Sequence, residues 1–554
     1  MKYQQLLSVS FLGTIPLAFG SSVNRNTWTV GQTVHTSSGP VGGHAAPIFR
    51  DVSEYLGIPF AQSPTGKLRF QPPIKYTGNK HINAAKFGYS CVTSPSSGDG
   101  PPDVSKLPKD TFSEWAIPIL NASTHSTQKN EDCLTLNIWT KPQTGEKKKA
   151  VMVWIHGGAF TFGKCHPVDQ RTDQEKTIYR LSIFGFPGNP VGRPNLGLLD
   201  QRLAIEWVRD NIAGFGGDPT RITLFGESAG GASADFFSYA WTDDPIATGF
   251  IFMSGSAFGV EQLSNHTANA FWFNATKQAG CGDNSTNFNE VYECMKSKSA
   301  EDIAKSLPKS SSLDGANAPF NPVIDESLVF SDYTKRKPVR APIIVGHTDY
   351  EAGLALLANP ATPQDEIIKL NSLAFNCPAA MRAAASVSSG NPTWRYRWFG
   401  EFPNTRLTIN PPSKAYHSSE LSVLFNTSLT HLVPDTPEEK DIGSYFRGLW
   451  VAFAKDAVNG AAKYGDGLPT YSANQSTLIR LGYENIAGPN LGIGGQYDAA
   501  CQKIQAVTGP NNGSTPTSTS TSGPTSPTRV ISLGARLGPT TILLLGVVAL
   551  LGLI

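Results

Sequence analysis

Residues 221–240 constrain this chain more than any other stretch: RITLF reads as a short buried strand, Gly226-Glu-Ser-Ala-Gly230 follows at once, and residues 232–240 can continue as helix. A serine set between two glycines at a strand-to-helix turn has a steric consequence. The tight turn lifts its hydroxyl clear of the sheet, and small neighbours let the backbone pass without collision. A bare G-x-S-x-G arises by chance in a chain with 53 glycines, where the plain alternative is a loop serine. The flanking strand and helix make Ser228 the candidate nucleophile. The neighbouring sequence keeps the same alternation. Residues 150–155, AVMVWI, form a nearly continuous apolar run, as expected of a parallel strand buried on both faces. Residues 198–212 place Leu203, Ala204, Trp207 and Val208 on one helical face, and Asp218-Pro219 is expected to turn the chain before the next strand.

A serine hydroxyl is a poor nucleophile near neutral pH, so it needs a base for its proton and an acid to orient that base. Residues 341–346, APIIVG, are another apolar strand, and the loop after it carries Asp349 and Glu351. Strand ends of such sheets collect catalytic side chains. Periodicity does not separate the two carboxylates, and the plain alternative for both is a solvated loop acid. His417 follows the loop residues PPSKAY and precedes the helix-like SSELSVLF. Nine other histidines compete, but only His417 completes the chain order serine, acid, histidine at a strand-end position. Attack on an ester also creates an oxyanion that needs donors already in place. The backbone N–H of Ala229 and those of Gly158 and Ala159, in the HGGAF turn after residues 150–155, are the expected set.

The segments HGGAF, NLGLLDQRLAIEWVRDNIAGFGGDPTRITLFGESAGG and KAYHSSEL resemble the type-B carboxylesterases and lipases, the group that holds the cholinesterases and fungal extracellular esterases. The resemblance runs over roughly residues 41–501 and includes EDCLTLNIW and PVIDESLVFSDY. It implies an α/β-hydrolase fold, with a large mixed, mostly parallel central sheet flanked by helices, and cofactor-free hydrolysis of carboxylic esters by a triad of Ser228, Glu351 and His417. A triacylglycerol lipase of the same family is the alternative. The same resemblance implies bridges Cys91–Cys133 and Cys281–Cys294, and a Cys377–Cys501 pair is expected besides. The loop over residues 92–132 holds Phe112, Trp115, Ile117, Ile119 and Leu120, and reads equally as a lipase-like lid or as a packed Ω-loop.

The two ends of the chain read as address signals. Residues 1–20 have the layout of a secretory signal peptide, leaving residues 21–508 as the catalytic domain. Residues 509–537 form a Ser/Thr/Pro/Gly-rich stalk and 538–554 an uncharged tail ending in ILLLGVVALLGLI. At 1.5 Å per residue the tail reaches about 26 Å, short of the roughly 30 Å hydrocarbon core, and no Lys or Arg follows it. A GPI-type anchor signal is therefore preferred to a spanning helix. Six of the seven cysteines can pair in the oxidising compartment this route implies, leaving one over. The sequons at Asn121, Asn265, Asn274, Asn284, Asn426, Asn474 and Asn512 agree with passage through it. No CxxC or HxxxH spacing suggests a metal site. A formal net charge of +2 and only 16% charged residues, against roughly 25% on average, exclude an electrostatic nucleic-acid binder. Gly492-Ile-Gly-Gly495 lacks the third glycine of a dinucleotide fingerprint and is expected to be a loop, and Lys147-Lys-Lys149 a solvated turn.

One segment departs from the family pattern. Where an inner parallel strand is expected after the HGGAF turn, this chain carries residues 164–178, KCHPVDQRTDQEKTI, six of them charged. Burying those charges without partners is prohibitive, so the segment is not expected to form a central strand. Either the sheet has lost a strand and the hydrolase is impaired, or the message was mis-spliced here, which is the preferred account. The odd Cys165 falls in this segment.

Overall fold

The computed structural model describes residues 28–93, 110–119, 128–141, 148–163, 176–177, 179–307, 319–427 and 433–501. Its main sheet is built from β1 (His44–Ala45), β2 (Ser53–Pro59), β3 (Thr135–Thr140), β4 (Lys149–Ile155), β5 (Lys176–Thr177), β6 (Gly217–Glu227), β7 (Gly249–Met253), β8 (Ile343–Thr348), β9 (Thr393–Trp398), β10 (Ser476–Leu481) and β11 (Gly492–Ile493). The spatial order is β11-β10-β9-β8-β7-β6-β4-β5-β3-β2-β1. Pairing is parallel from β10 to β5 and antiparallel at both flanks.

The helices that cover this sheet include α1 (Leu196–Asn211), α2 (Ala229–Ala240), α3 (Asn265–Gln278), α4 (Cys377–Ser388), α5 (Ser419–Phe425) and α6 (Pro437–Lys455). Strand side chains alternate between two cores because successive residues point to opposite faces. Val151, Val153 and Ile155 of β4 join Ile222 and Leu224 of β6 against Ala204, Trp207 and Val208 of α1 and the buried face of α2. On the other face Trp154, Phe225, Ile251, Trp394 and Tyr396 meet Val423 of α5 and Phe446, Leu449, Trp450 and Phe453 of α6. Each fully buried large side chain contributes about 1.5–3 kcal/mol relative to exposure, so both layers of helices are held chiefly by this apolar contact. The continuous apolar run of β4 is thus explained: it is covered on both sides.

Three sequence expectations need correction. Asp218-Pro219 lies within β6 rather than before it, although Asp218 Oδ1 accepts the Thr220 N–H at 3.0 Å, as turn-forming aspartates do. Gly492 and Ile493 form an edge strand, and Gly494–Tyr497 a helical turn, in place of the expected loop. Lys149 opens β4 as a half-buried residue, its ammonium 3.5 Å from Thr140 Oγ1.

The interrupted segment adds a fourth correction. Lys176 and Thr177 do enter the sheet as β5, pairing with Trp154 and Ile155 of β4 and with Leu136 of β3. They reach only the upper rungs of neighbours six and seven residues long. Below them lies a cavity of about 350 Å³ lined by Ile138, Trp139 and Thr140 of β3 and by residues 149–152 of β4. An inner position of the sheet is therefore filled over two residues. Residues 164–175 and 178, with Cys165, lie outside the described residues.

The cysteines pair as Cys91–Cys133, Cys281–Cys294 and Cys377–Cys501, with Cα atoms 5.1, 5.6 and 5.4 Å apart. Asn265, Asn274, Asn284, Asn426 and Asn474 are all exposed. Asn121, Asn512, Leu120, residues 1–20 and the stretches 509–537 and 538–554 lie outside the described residues. Among the described residues no helix is long and apolar enough to cross a membrane.

Candidate active site

Ser228 stands between β6 and α2 with φ 57° and ψ −124°, a left-handed backbone setting that costs a non-glycine residue on the order of 1–3 kcal/mol. The flanking glycines explain how the turn closes. A Cβ on Gly230 would lie 1.9 Å from the Ile155 carbonyl oxygen, and one on Gly226 would lie 2.5 Å from Gly230. Within residues 222–230 only Ser228 is not buried, so the turn carries its side chain out of the core.

The HGGAF turn runs alongside. A Cβ on Gly157 would approach the Ser228 Cβ at 3.0 Å. Gly158, Ala159 and Phe160 have φ of 110°, 49° and 59°, an unusual run that turns their amides off any regular ladder. The N–H groups of Gly158 and Ala159 have no acceptor among the described residues. That of Ala229 heads α2, where the first amides of a helix lack an intrahelical partner. The three predicted oxyanion donors therefore border one serine with their hydrogen-bonding capacity unspent.

His417 is fully buried on the loop before α5. Its Nδ1 lies 2.5 Å from Oε2 of Glu351, whose Oε1 accepts the Thr348 N–H at 2.7 Å. The two loops are joined by backbone as well: His417 N–H donates to Glu351 O at 3.2 Å and Tyr350 N–H to Ala415 O at 2.9 Å. Asp349, the rival acid, binds the Arg397 guanidinium at 2.7 Å instead. The structure thus separates two carboxylates that periodicity could not. The other imidazole of this loop region, His347, is bonded to Thr348 O and Asn376 Oδ1.

Residues absent from the sequence reading complete the surroundings. Phe375 packs its ring 5.0 Å from the His417 ring. Glu227, immediately before the serine, places Oε1 3.1 Å from His417 Nε2 and accepts the Ser418 hydroxyl at 2.6 Å. Nε2 nevertheless makes no hydrogen bond among the described residues. Glu420 is also fully buried, its carboxylate oxygens without a hydrogen-bond partner among the described residues. Burial raises the Glu227 carboxyl above its usual range and holds that of Glu420 well above it. A signal for both existed, since GESAG and HSSEL each set a carboxylate within three residues of the candidate groups among otherwise small or apolar neighbours.

For His417, burial alone favours the neutral ring, but the charges of Glu227 and Glu351, with the Glu351 hydrogen bond, outweigh it and push the pKa up to about 9. A base must be neutral to accept a proton, so a raised pKa moves the acid limb of kcat/KM to higher pH than an ordinary histidine near 6.5 would give. Replacing Glu227 by glutamine removes negative charge beside the ring. The limb of Glu227→Gln is expected to shift down by about one pH unit, read from kcat/KM against pH on a neutral ester, whatever the height of its plateau.

Residues 110–119 bear on the lid question. Ala116 and Ile119 are buried with Tyr350, Leu354, Leu407 and Tyr416, and Phe112 and Trp115 pack on the same cluster. Ser113 N–H donates to Leu407 O at 2.9 Å and Ile409 N–H to Thr111 O at 2.7 Å. This part of the loop is packed against the residues that flank Glu351 and His417.

A mostly parallel sheet between two layers of helices, with a serine on the strand-to-helix turn next to Glu227, whose carboxylate lies 3.1 Å from a carboxylate-paired imidazole, defines an α/β-hydrolase. The sequence profile of the carboxylesterase family matches residues 30–370. The chain is 32% identical to the chlorogenic acid esterase of Aspergillus niger, over 84% of this chain and 90% of that protein. It is 30% identical to secreted lipase 5 of Gibberella zeae, over 86% and 95%. The acetylcholinesterase of Bungarus fasciatus is 26% identical over 82% and 83%. This protein belongs to the carboxylesterase family and is a carboxylic ester hydrolase.

Proposed function

We propose that the chain cleaves esters by two-step acyl transfer on Ser228. His417 Nε2 takes the hydroxyl proton as Oγ attacks the ester carbonyl, while Glu351 holds the ring and balances the imidazolium that forms. The N–H groups of Gly158, Ala159 and Ala229 receive the oxyanion. The alcohol leaves with the proton from His417, and water then repeats the path to release the acid. No cofactor is needed for either step. The observation that supports this reading is the Glu351–His417 pair, whose second ring nitrogen has no hydrogen bond among the described residues and faces the carboxylate of Glu227, the residue before Ser228.

The substrate is a small or lipid ester. A soluble carboxylesterase substrate is preferred over a triacylglycerol, because the described part of the 92–132 loop is packed rather than free-standing. The disulfides and the secreted relative support an extracellular protein with residues 21–508 as its catalytic domain, delivered by a signal peptide at 1–20. The stalk at 509–537 and tail at 538–554 would hold it at the cell surface through a lipid anchor, and the exposed sequons would carry glycans. The rival reading is an impaired hydrolase, favoured only by the two-residue filling of the sheet at β5. The test is exposure of the full chain to a fluorophosphonate and to p-nitrophenyl butyrate. Stoichiometric labelling of the peptide containing Ser228, with loss of butyrate hydrolysis in step, is expected; an unlabelled, inactive protein would favour impairment.

A further inference from the structure

Three sequons fall close together in the chain around α3: Asn265 and Asn274 on the helix itself and Asn284 in the loop beyond it, all exposed. At about 3.6 residues per turn, the spacing of Asn265 and Asn274 sets them on opposite sides of the helix. Asn274 lines a cavity of about 580 Å³ beside the helix Ala300–Ser306, together with Gln278, Lys298, Asp302, Lys305 and Ser306. Asn274 and Gln278 stand one turn apart on a single face of α3. Ala279 and Leu307 add an apolar patch to the same recess.

The walls of this recess are held from behind. Lys298 closes the helix Phe288–Ser297, and its carbonyl accepts the guanidinium of Arg69, which is buried and paired with Glu131 at 2.5 Å. The Cys281–Cys294 bridge ties that helix to the end of α3, where the Cys281 N–H donates to Thr276 O at 2.8 Å. Asp302 Oδ2 accepts the Ser299 hydroxyl at 2.7 Å, and Lys305 pairs with Glu301 at 2.6 Å. The side-chain amides of Asn274 and Gln278 and the ammonium of Lys298, by contrast, make no hydrogen bond or ion pair among the described residues. Exposed polar groups of this kind hold a free solute weakly, because water competes at every contact. A covalently tethered group meets them at an effective concentration of about millimolar, so weak contacts suffice.

We propose that this recess seats the first sugars of an N-linked glycan carried on Asn274, which makes that glycan part of the fold rather than a free appendage. The proposal rests on passage of the chain through the secretory pathway. The volume lies within the roughly 300–1,000 Å³ of ordinary small-molecule sites, and Gln278 and Lys298 offer donors to sugar oxygens while Ala279 and Leu307 face the C–H surface of a ring. Attachment joins the Asn274 amide nitrogen to C1 of the first sugar as the bond from that carbon to a lipid-linked pyrophosphate breaks. The nitrogen gives up one proton, and the pyrophosphate leaves with the bonding electrons. In the finished fold the Thr276 hydroxyl is buried and donates to Gly282 O at 2.8 Å, so attachment precedes the folding of α3.

The test is native digestion of the full chain, expressed with its own residues 1–20 in a eukaryotic host, by peptide-N-glycosidase F. Each site is followed by the asparagine-to-aspartate mass change that release leaves behind. Asn274 is expected to be occupied and to lose its glycan roughly tenfold or more slowly than Asn284, the effect of one or two hydrogen bonds. Asn265, on the same helix but facing away, is expected to keep pace with Asn284, and after denaturation all three release alike. In the double variant Gln278→Ala with Lys298→Ala, which trims two polar walls and no core contact, release at Asn274 is expected to come within about threefold of Asn284. An empty Asn274 beside filled Asn265 and Asn284, release at the rate of Asn284, or slow release that the double variant leaves unchanged would each overturn the seat. A chain without a glycan at any of the three would overturn the secretory reading along with it.

Discussion

Replacing Ser228 by alanine is expected to lower kcat on p-nitrophenyl butyrate by roughly 10⁴- to 10⁶-fold, with fluorophosphonate labelling abolished. The reasoning is local. Alanine keeps the turn's small volume between Gly226 and Gly230 and inherits the same left-handed backbone, so the fold survives and the melting temperature barely moves. What disappears is the hydroxyl that the proposed acyl transfer uses. The oxyanion donors and the binding surface remain, which is why a residue of activity above the uncatalysed rate is expected. A variant that retained more than about a tenth of wild-type kcat would place the reacting group elsewhere.

Glu351→Gln is expected to lower kcat by roughly 10³- to 10⁴-fold with KM little changed. The amide is nearly isosteric and its oxygen can still take the Thr348 N–H, so the loop should keep its place. It cannot balance an imidazolium, and donating its amide NH2 to Nδ1 would enforce the wrong tautomer of His417, leaving Nε2 protonated and unable to accept. The parallel variant Asp349→Asn loses only the pairing with Arg397 and should cost less than about fivefold. Stopped-flow or steady-state kinetics on the two proteins side by side decides the matter. Equal losses would mean that Glu351 acts by holding the loop rather than by its charge.

Much of this architecture was legible in the chain because it is written locally. β4, β6 and α2 announce themselves through apolar runs and glycines whose physical purpose, close passage of backbone over backbone, needs no knowledge of distant residues. His417 could be singled out by its position relative to the strands together with chain order. Choosing between Asp349 and Glu351 needed the third dimension or the family pattern, because both sit on one loop and differ only in which way that loop turns them. Glu227, Glu420 and Phe375 were missed for a related reason: the two glutamates adjoin the candidate groups in sequence, but their burial near the His417 ring, like that of Phe375, is reported by no periodicity. Asp218-Pro219 misled because its turn chemistry is real but operates inside a strand. The charged segment at 164–178 was not expected to form a central strand, and only its residues 176 and 177 enter the sheet, Thr177 pairing with both neighbours.

The Cys377–Cys501 bridge has a mechanical meaning. For a protein tethered at a surface by the residues beyond 501, a pull on the tether enters the body at Cys501. Without the crosslink that tension would first peel β11 from β10, an antiparallel pair of few rungs that opens one bond at a time. With it, the load passes covalently to the first residue of α4, whose Ala379 and Ala383 are seated in the main core. In a protein so tethered the edge of the sheet would be shielded from shear, and Cys377 sits two residues from the ring that rests on His417.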